Sequence, residues 1–143
     1  MRGPQSASPE FASSPRAKRR FTLAEANRAL PLVSRIVADI VHTHTQAVFV
    51  QSQIGRATAK EQPALQSQLD KMLERLEDYV DELTEVGCDL KDYALGLVDF
   101  TGIHQGHDVC LCWKHGEASI GHWHEIDEGF GGRQPVATLH ETQ

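Results

Sequence analysis

Val109-Cys-Leu-Cys-Trp-Lys-His-Gly-Glu-Ala-Ser-Ile-Gly-His-Trp-His-Glu125 decides the fold, because here a pattern that steps by threes and fours gives way to alternation. Val109, Leu111 and Trp113 share one parity, and Cys110 and Cys112 the other. A period of two is the signature of a strand, whose successive side chains point to opposite faces. Lys114-His-Gly-Glu117 is a turn signal, and Ile120-Gly-His-Trp-His124 reads as the returning strand. His122 and His124 share a face opposite Trp123. If the two strands form a hairpin, the cysteine pair and the histidine pair approach one another.

Working upstream, Cys88-Asp-Leu90 and Leu97-Val-Asp-Phe100 flank the turn-rich Lys91-Asp-Tyr-Ala-Leu-Gly96, which adds strands to a small antiparallel sheet. Before Gly87, a plausible helix C-cap, the periodicity is helical. Leu65, Leu69, Met72, Leu76, Tyr79, Leu83 and Val86 form a heptad-like seam on a helix starting near Pro63. Its opposite face carries Glu74, Glu77, Asp78, Asp81, Glu82 and Glu85, a solvated acidic surface. Val33, Ile36, Val37, Ile40, Val41, Ala47 and Val48 give an earlier helix a broad apolar face. Thr22-Leu-Ala-Glu25 has the form of a capping box. Pro31 either kinks the helix that follows or begins a new one, so a short helix over 22–29 and a long one from Pro31 to about Ile54 are expected. The polar Gly55–Gln62 joins the two long helices, each roughly 35 Å, as antiparallel neighbours. The fold class is therefore α+β: a long antiparallel helical hairpin packed on a small antiparallel β-sheet. The apolar face of a hairpin this long needs the C-terminal part, a second subunit, or both to cover it, and a homodimer through the helices is expected.

The 143 residues make one domain, expected over 21–143. Residues 1–20 are rich in Ser, Pro, Ala and Arg and read as a disordered tail, in which Ser8-Pro-Glu-Phe11 resembles vector-encoded sequence. Five basic residues against Glu10 give that tail +4 within a net charge of −6, so the rest carries −10. An acidic body does not suit phosphate backbones, so nucleic acid is not the expected partner. No apolar stretch has the roughly 20 residues that span a bilayer, and no apolar segment follows the basic N-terminus as in an export signal. A cytoplasmic location with no membrane partner is expected, and three cysteines then read as reduced thiols.

Six of the eight histidines and two of the three cysteines lie at or beyond residue 104. Imidazole and thiolate are ligands for zinc and iron. Cys110, Cys112, His122 and His124 would make a tetrahedral Cys2His2 set. An alternative set of His122, His124 and Glu128, or Glu117 in place of Glu128, with Cys112 or with no thiolate, leaves a coordination position open, as a catalytic metal requires. Glu125 is then the candidate general base. Arg133, in Gly129-Phe-Gly-Gly-Arg133, either holds an anionic group of a small-molecule substrate or pairs with an acidic residue of the body.

Phe21-Thr-Leu-x-Glu25-Ala-Asn, Leu90-Lys-Asp, Gly96-Leu-Val-Asp-Phe100, Leu111-Cys-Trp113, Gly116-Glu117, Trp123-His-Glu125 and Gly129-Phe-x-Gly-Arg133-Gln-Pro135 resemble the bacterial domain of unknown function DUF2203 over about residues 21–137. The resemblance implies that Cys112, Glu117, His124 and Arg133 belong to the shared pattern, while Cys110, His115 and His122 do not. It favours a site of Cys112, His124 and a carboxylate, with His122 as a local addition.

Three functional expectations follow. The first is a divalent-metal protein, zinc before iron, in the form of a hydrolase with metal-activated water and an anionic substrate. The second is a non-enzymatic dimerisation module with a structural metal or none. The third is noncovalent haem or a redox metal, since no C-x-x-C-H attachment motif is present.

Overall fold

The computed structural model describes residues 19–142. Residues 1–18 of the expected tail therefore lie outside the described residues, but Arg19 and Arg20 do not behave as tail. Arg20 bridges Thr101 and its guanidinium bonds the Asp108 carboxylate at 2.7 Å, so order begins two residues earlier than the composition suggested.

Helix α1 spans Leu23–Ile54 and helix α2 spans Gln62–Val86. Thr22 and Glu25 form the reciprocal capping box: the Thr22 hydroxyl accepts from the Glu25 N–H, and the Glu25 carboxylate accepts from the Thr22 N–H at 2.9 Å. Those backbone and hydroxyl donors hold the Glu25 carboxyl below its ordinary range. Pro31 does not divide α1 as expected; the helix runs through it. An interior proline costs about 3 kcal/mol. Leu30 and Val33, buried on either side of it, supply enough apolar burial to carry the helix across. Gly87, at φ 113°, ends α2 in the left-handed conformation and returns its N–H to Leu83.

Five strands follow: β1 Cys88–Asp92, β2 Leu97–His104, β3 His107–Lys114, β4 His122–Glu125 and β5 Gln134–Pro135. They form one antiparallel meander in chain order. Gln105 and Gly106 both adopt positive φ, the two-residue turn whose twist suits a tight β2–β3 hairpin.

The sheet has two unlike faces. Val98, Phe100, Val109, Leu111, Trp113 and Trp123 form one cluster with Val33, Ile36, Val37, Ile40, Leu76 and Leu83 of the helices. This inner face is the main core. Gly102 sits on it because a Cβ there would lie 2.8 Å from the Leu111 side chain. The outer face carries Asp99, Thr101, Cys110, Cys112, His122 and His124, the opposite parity on each strand.

Thirty-two residues make α1 about 48 Å long, longer than the sheet can cover. Beyond the sheet the two helices bury a separate cluster of Ala47, Val50 and Leu69, flanked by Ile54, Leu65 and Met72. The heptad seam of α2 is thus consumed inside the chain, with Leu69, Leu76 and Leu83 buried. Val48, expected on the apolar face, points outward, and Val50 fills its place. Among the described residues no helix is long and apolar enough to cross a membrane.

Candidate metal centre

The site arises from strand register. Cys112 lies opposite Asp99 on β2 and His122 on β4, and Cys110 lies opposite His124. The expected meeting of cysteine and histidine pairs is therefore present, and β2 adds Asp99 from the other side. Across the sheet, Asp89 faces Asp99 in turn.

Asp99, Cys112 and His124 converge. Each offers one ligand atom, and the three atoms lie within 4.8 Å of one another. A tetrahedral zinc with bonds of about 2.0–2.3 Å spaces its ligands roughly 3.4–3.8 Å apart, so small side-chain rotations close the set. Asp99 and His124 are 7% and 3% exposed. Their burial makes this an enclosed polar centre and not a solvated face.

His124 carries the electrostatic argument. Its Nδ1 lies 2.8 Å from the Glu125 backbone oxygen. A carbonyl oxygen only accepts, so Nδ1 bears the hydrogen. In neutral imidazole Nε2 is then a lone pair, and it lies 3.2 Å from an oxygen of Asp99. An acceptor facing a carboxylate in a buried site needs a cation or a proton between them. A carbonyl holding the far ring nitrogen is also the usual outer support of a metal-binding histidine. Cys112 completes the picture: burial, then the neighbouring Asp99 carboxylate, pushes its thiol up to about 12. Without a metal it is an inert thiol, not a nucleophile.

The remaining expected site residues separate. Glu128 lines the cleft beside the three ligands, within no ligand group of its own. His122 neighbours Cys112, and its buried Nδ1 has no hydrogen-bond partner among the described residues. Glu125 is not brought to the centre. One residue from His124 along a strand, it turns to the other face and bonds the His107 ring at 2.9 Å. Arg133 bonds both oxygens of Glu117 at 2.9–3.0 Å and stacks on Phe130 at 4.6 Å. Of the two roles open to Arg133, pairing with an acidic residue is the one present. Glu117 is thereby engaged too, and it also accepts from the Lys114 N–H at 2.9 Å. No helical turn follows His124, so an i, i+4 relation with Glu128 does not form.

Asp99 was not among the expected candidates. It stood in view as the one charged residue in Leu97-Val-Asp-Phe100, but only the β2–β3 register reveals that it faces Cys112. Lys91, at the irregular step between Leu90 and Asp92 of β1, was not singled out either.

Asp99, Cys112 and His124 line a cleft of about 240 Å³ on the outer face. Leu97, Ile126 and Phe130 give it apolar walls, and Lys91 and Glu128 are its other charged residues. The residues that follow β4 close it from outside, including a short 3-10 turn over Phe130–Gly132.

A family model described as "Uncharacterized conserved protein (DUF2203)" matches residues 19–136. No curated protein and no solved structure matches the chain.

Proposed function

This chain belongs to the DUF2203 family of uncharacterized conserved proteins, and we propose that it binds a divalent transition metal through Asp99, Cys112 and His124. The supporting observation is the convergence of His124 Nε2, the Asp99 carboxylate and the Cys112 sulfur within 4.8 Å, with His124 Nδ1 already committed to a carbonyl. One carboxylate, one thiolate and one imidazole suit zinc first and iron second. Three protein ligands leave a position open toward the cleft, the arrangement of catalytic rather than structural zinc.

When bound, such a metal supplies a Lewis acid and lowers the pKa of water, which is the chemistry of hydrolysis. Glu128 lines the same cleft with its carboxylate engaged by its own loop, and the Glu125 carboxylate is turned away, so neither is placed as a general base. A cleft of about 240 Å³ favours a small substrate.

Metal binding to the folded state alone raises stability by about 2.7 kcal/mol at a hundredfold excess over Kd. For a domain of this size that is a rise of several degrees in Tm. Zinc added to chelator-stripped protein should produce that rise in the wild type and none in Asp99→Asn. Equal shifts in both would remove Asp99 from the site.

A second reading rests on the helices. Val48, Phe49 and Leu73 are 54%, 62% and 49% exposed on the part of the hairpin that outruns the sheet. Since the α2 seam is buried within the chain, these are the apolar residues left for a homodimer.

A further inference from the structure

The cleft also bears on what the metal would bind. We propose that it takes a short aliphatic dianion: a carboxylate held by Lys91, and a second carboxylate-type oxygen donor at the open metal position in place of water, joined by a few carbons. This rests on the metal reading above and names a ligand class for it.

The argument begins with charge. A divalent metal is neutralised by the Asp99 carboxylate and the Cys112 thiolate, with His124 neutral, so the metal centre itself has no net charge left to attract an anion over distance. Arg133, the other cation nearby, is held by two bonds to Glu117. Lys91 lines the cleft and has no ion-pair partner among the described residues. It is the cleft's free cation. Glu128 does not cancel it, because its carboxylate turns back toward its own loop, 3.4 Å from the Glu125 N–H and close against Gly132.

Spacing sets the length. Lys91 is on β1 and Cys112 on β3, two strands away. Neighbouring strands lie about 4.8 Å apart, so the two ends of the cleft are separated by roughly 10 Å at the backbone. The lysine stem spans part of that, which leaves room for a ligand of a few carbons. Chemistry of the walls sets its body. Leu97, Ile126 and Phe130 lie along the cleft, and Ile126 and Phe130 remain 57% and 42% exposed. Exposed apolar residues lining a polar-ended cleft gain by being covered with methylenes. Phe130 is a fixed wall, since the Arg133 guanidinium stacks on it from a position locked by Glu117.

The test uses tag-free protein loaded with cobalt(II), whose visible spectrum reports the coordination sphere. Glutarate, succinate and adipate are titrated, with 1,5-diaminopentane as the length-matched cation. The expected result is a saturable spectral change with a dicarboxylate and none with the diamine. Lys91→Glu should weaken dicarboxylate binding on the order of tenfold or more while leaving cobalt uptake unchanged. Phe130→Ala should weaken the longer diacids most. A cobalt-loaded protein that responds to diamine and diacid alike, or a Lys91→Glu variant that binds as the wild type does, overturns the inference and leaves the metal reading standing. Failure to take up cobalt overturns both.

Discussion

Cys88 and Cys112 are small residues with a measurable consequence. Burial pushes both thiols from an ordinary 9.0 up to about 12, helped at Cys88 by Asp89 and at Cys112 by Asp99. The folded chain therefore keeps these protons where the unfolded chain gives them up. That contribution to stability is complete below about pH 9 and is lost as pH rises from 9 toward 12. Urea midpoints of metal-free protein should hold level from pH 7 to 8.5 and fall above 9, and Cys88→Ala should flatten the decline. A midpoint that rises through this range would contradict the buried-thiol assignment. A metal bound at Cys112 would displace that proton at neutral pH. At this scale the sequence was partly legible. Cys112 and His124 announced themselves by type and clustering, whereas Asp99 is an ordinary residue made special by register. Glu125 failed as a candidate because adjacency in sequence means opposite faces in a strand.

At the scale of elements, the helix boundaries followed from local chemistry. The Thr22–Glu25 box, the polar link and Gly87 each act within a few residues, so a single sequence displays them. Pro31 misled because its local cost is outweighed by burial of Leu30 and Val33 against distant partners. Alternation showed that the cysteine pair and the histidine pair each share a face, whereas the Cys110–His124 and Cys112–His122 register came only with the structure. The full lengths of β2 and β3 were not legible, because the Gln105-Gly106 turn that joins them went unread. The separate Ala47–Val50–Leu69 cluster carries its own expectation. With helix–helix packing alone to hold it, this end of the hairpin should open locally below the global unfolding free energy. Native-state hydrogen exchange should show amides of 47–54 and 62–69 exchanging ahead of those in β2 and β3. Leu83→Ala, in the main core, should cost about 2–5 kcal/mol globally, while Leu69→Ala should mainly speed the local opening. Uniform protection across both regions would show one cooperative core.

At the scale of the whole molecule, the two ends have different characters: a sheet with a buried polar centre on its outer face, and a helical arm with exposed Val48, Phe49 and Leu73. If the arm is a self-association surface, sedimentation should give a dimer that Phe49→Ser and Leu73→Ser together convert to monomer. Identical behaviour of wild type and double variant would leave the arm without that role. The homodimer expectation came from helix length against chain length, a global argument that needs no contact to be known.

The central claim is that Asp99, Cys112 and His124 hold a metal. Elemental analysis of tag-free protein, beside His124→Ala prepared in the same way, tests it most directly. The account predicts one equivalent of zinc or iron per chain in the wild type and a loss of it in the variant. A wild type free of transition metal that also fails to take one up from solution would contradict it.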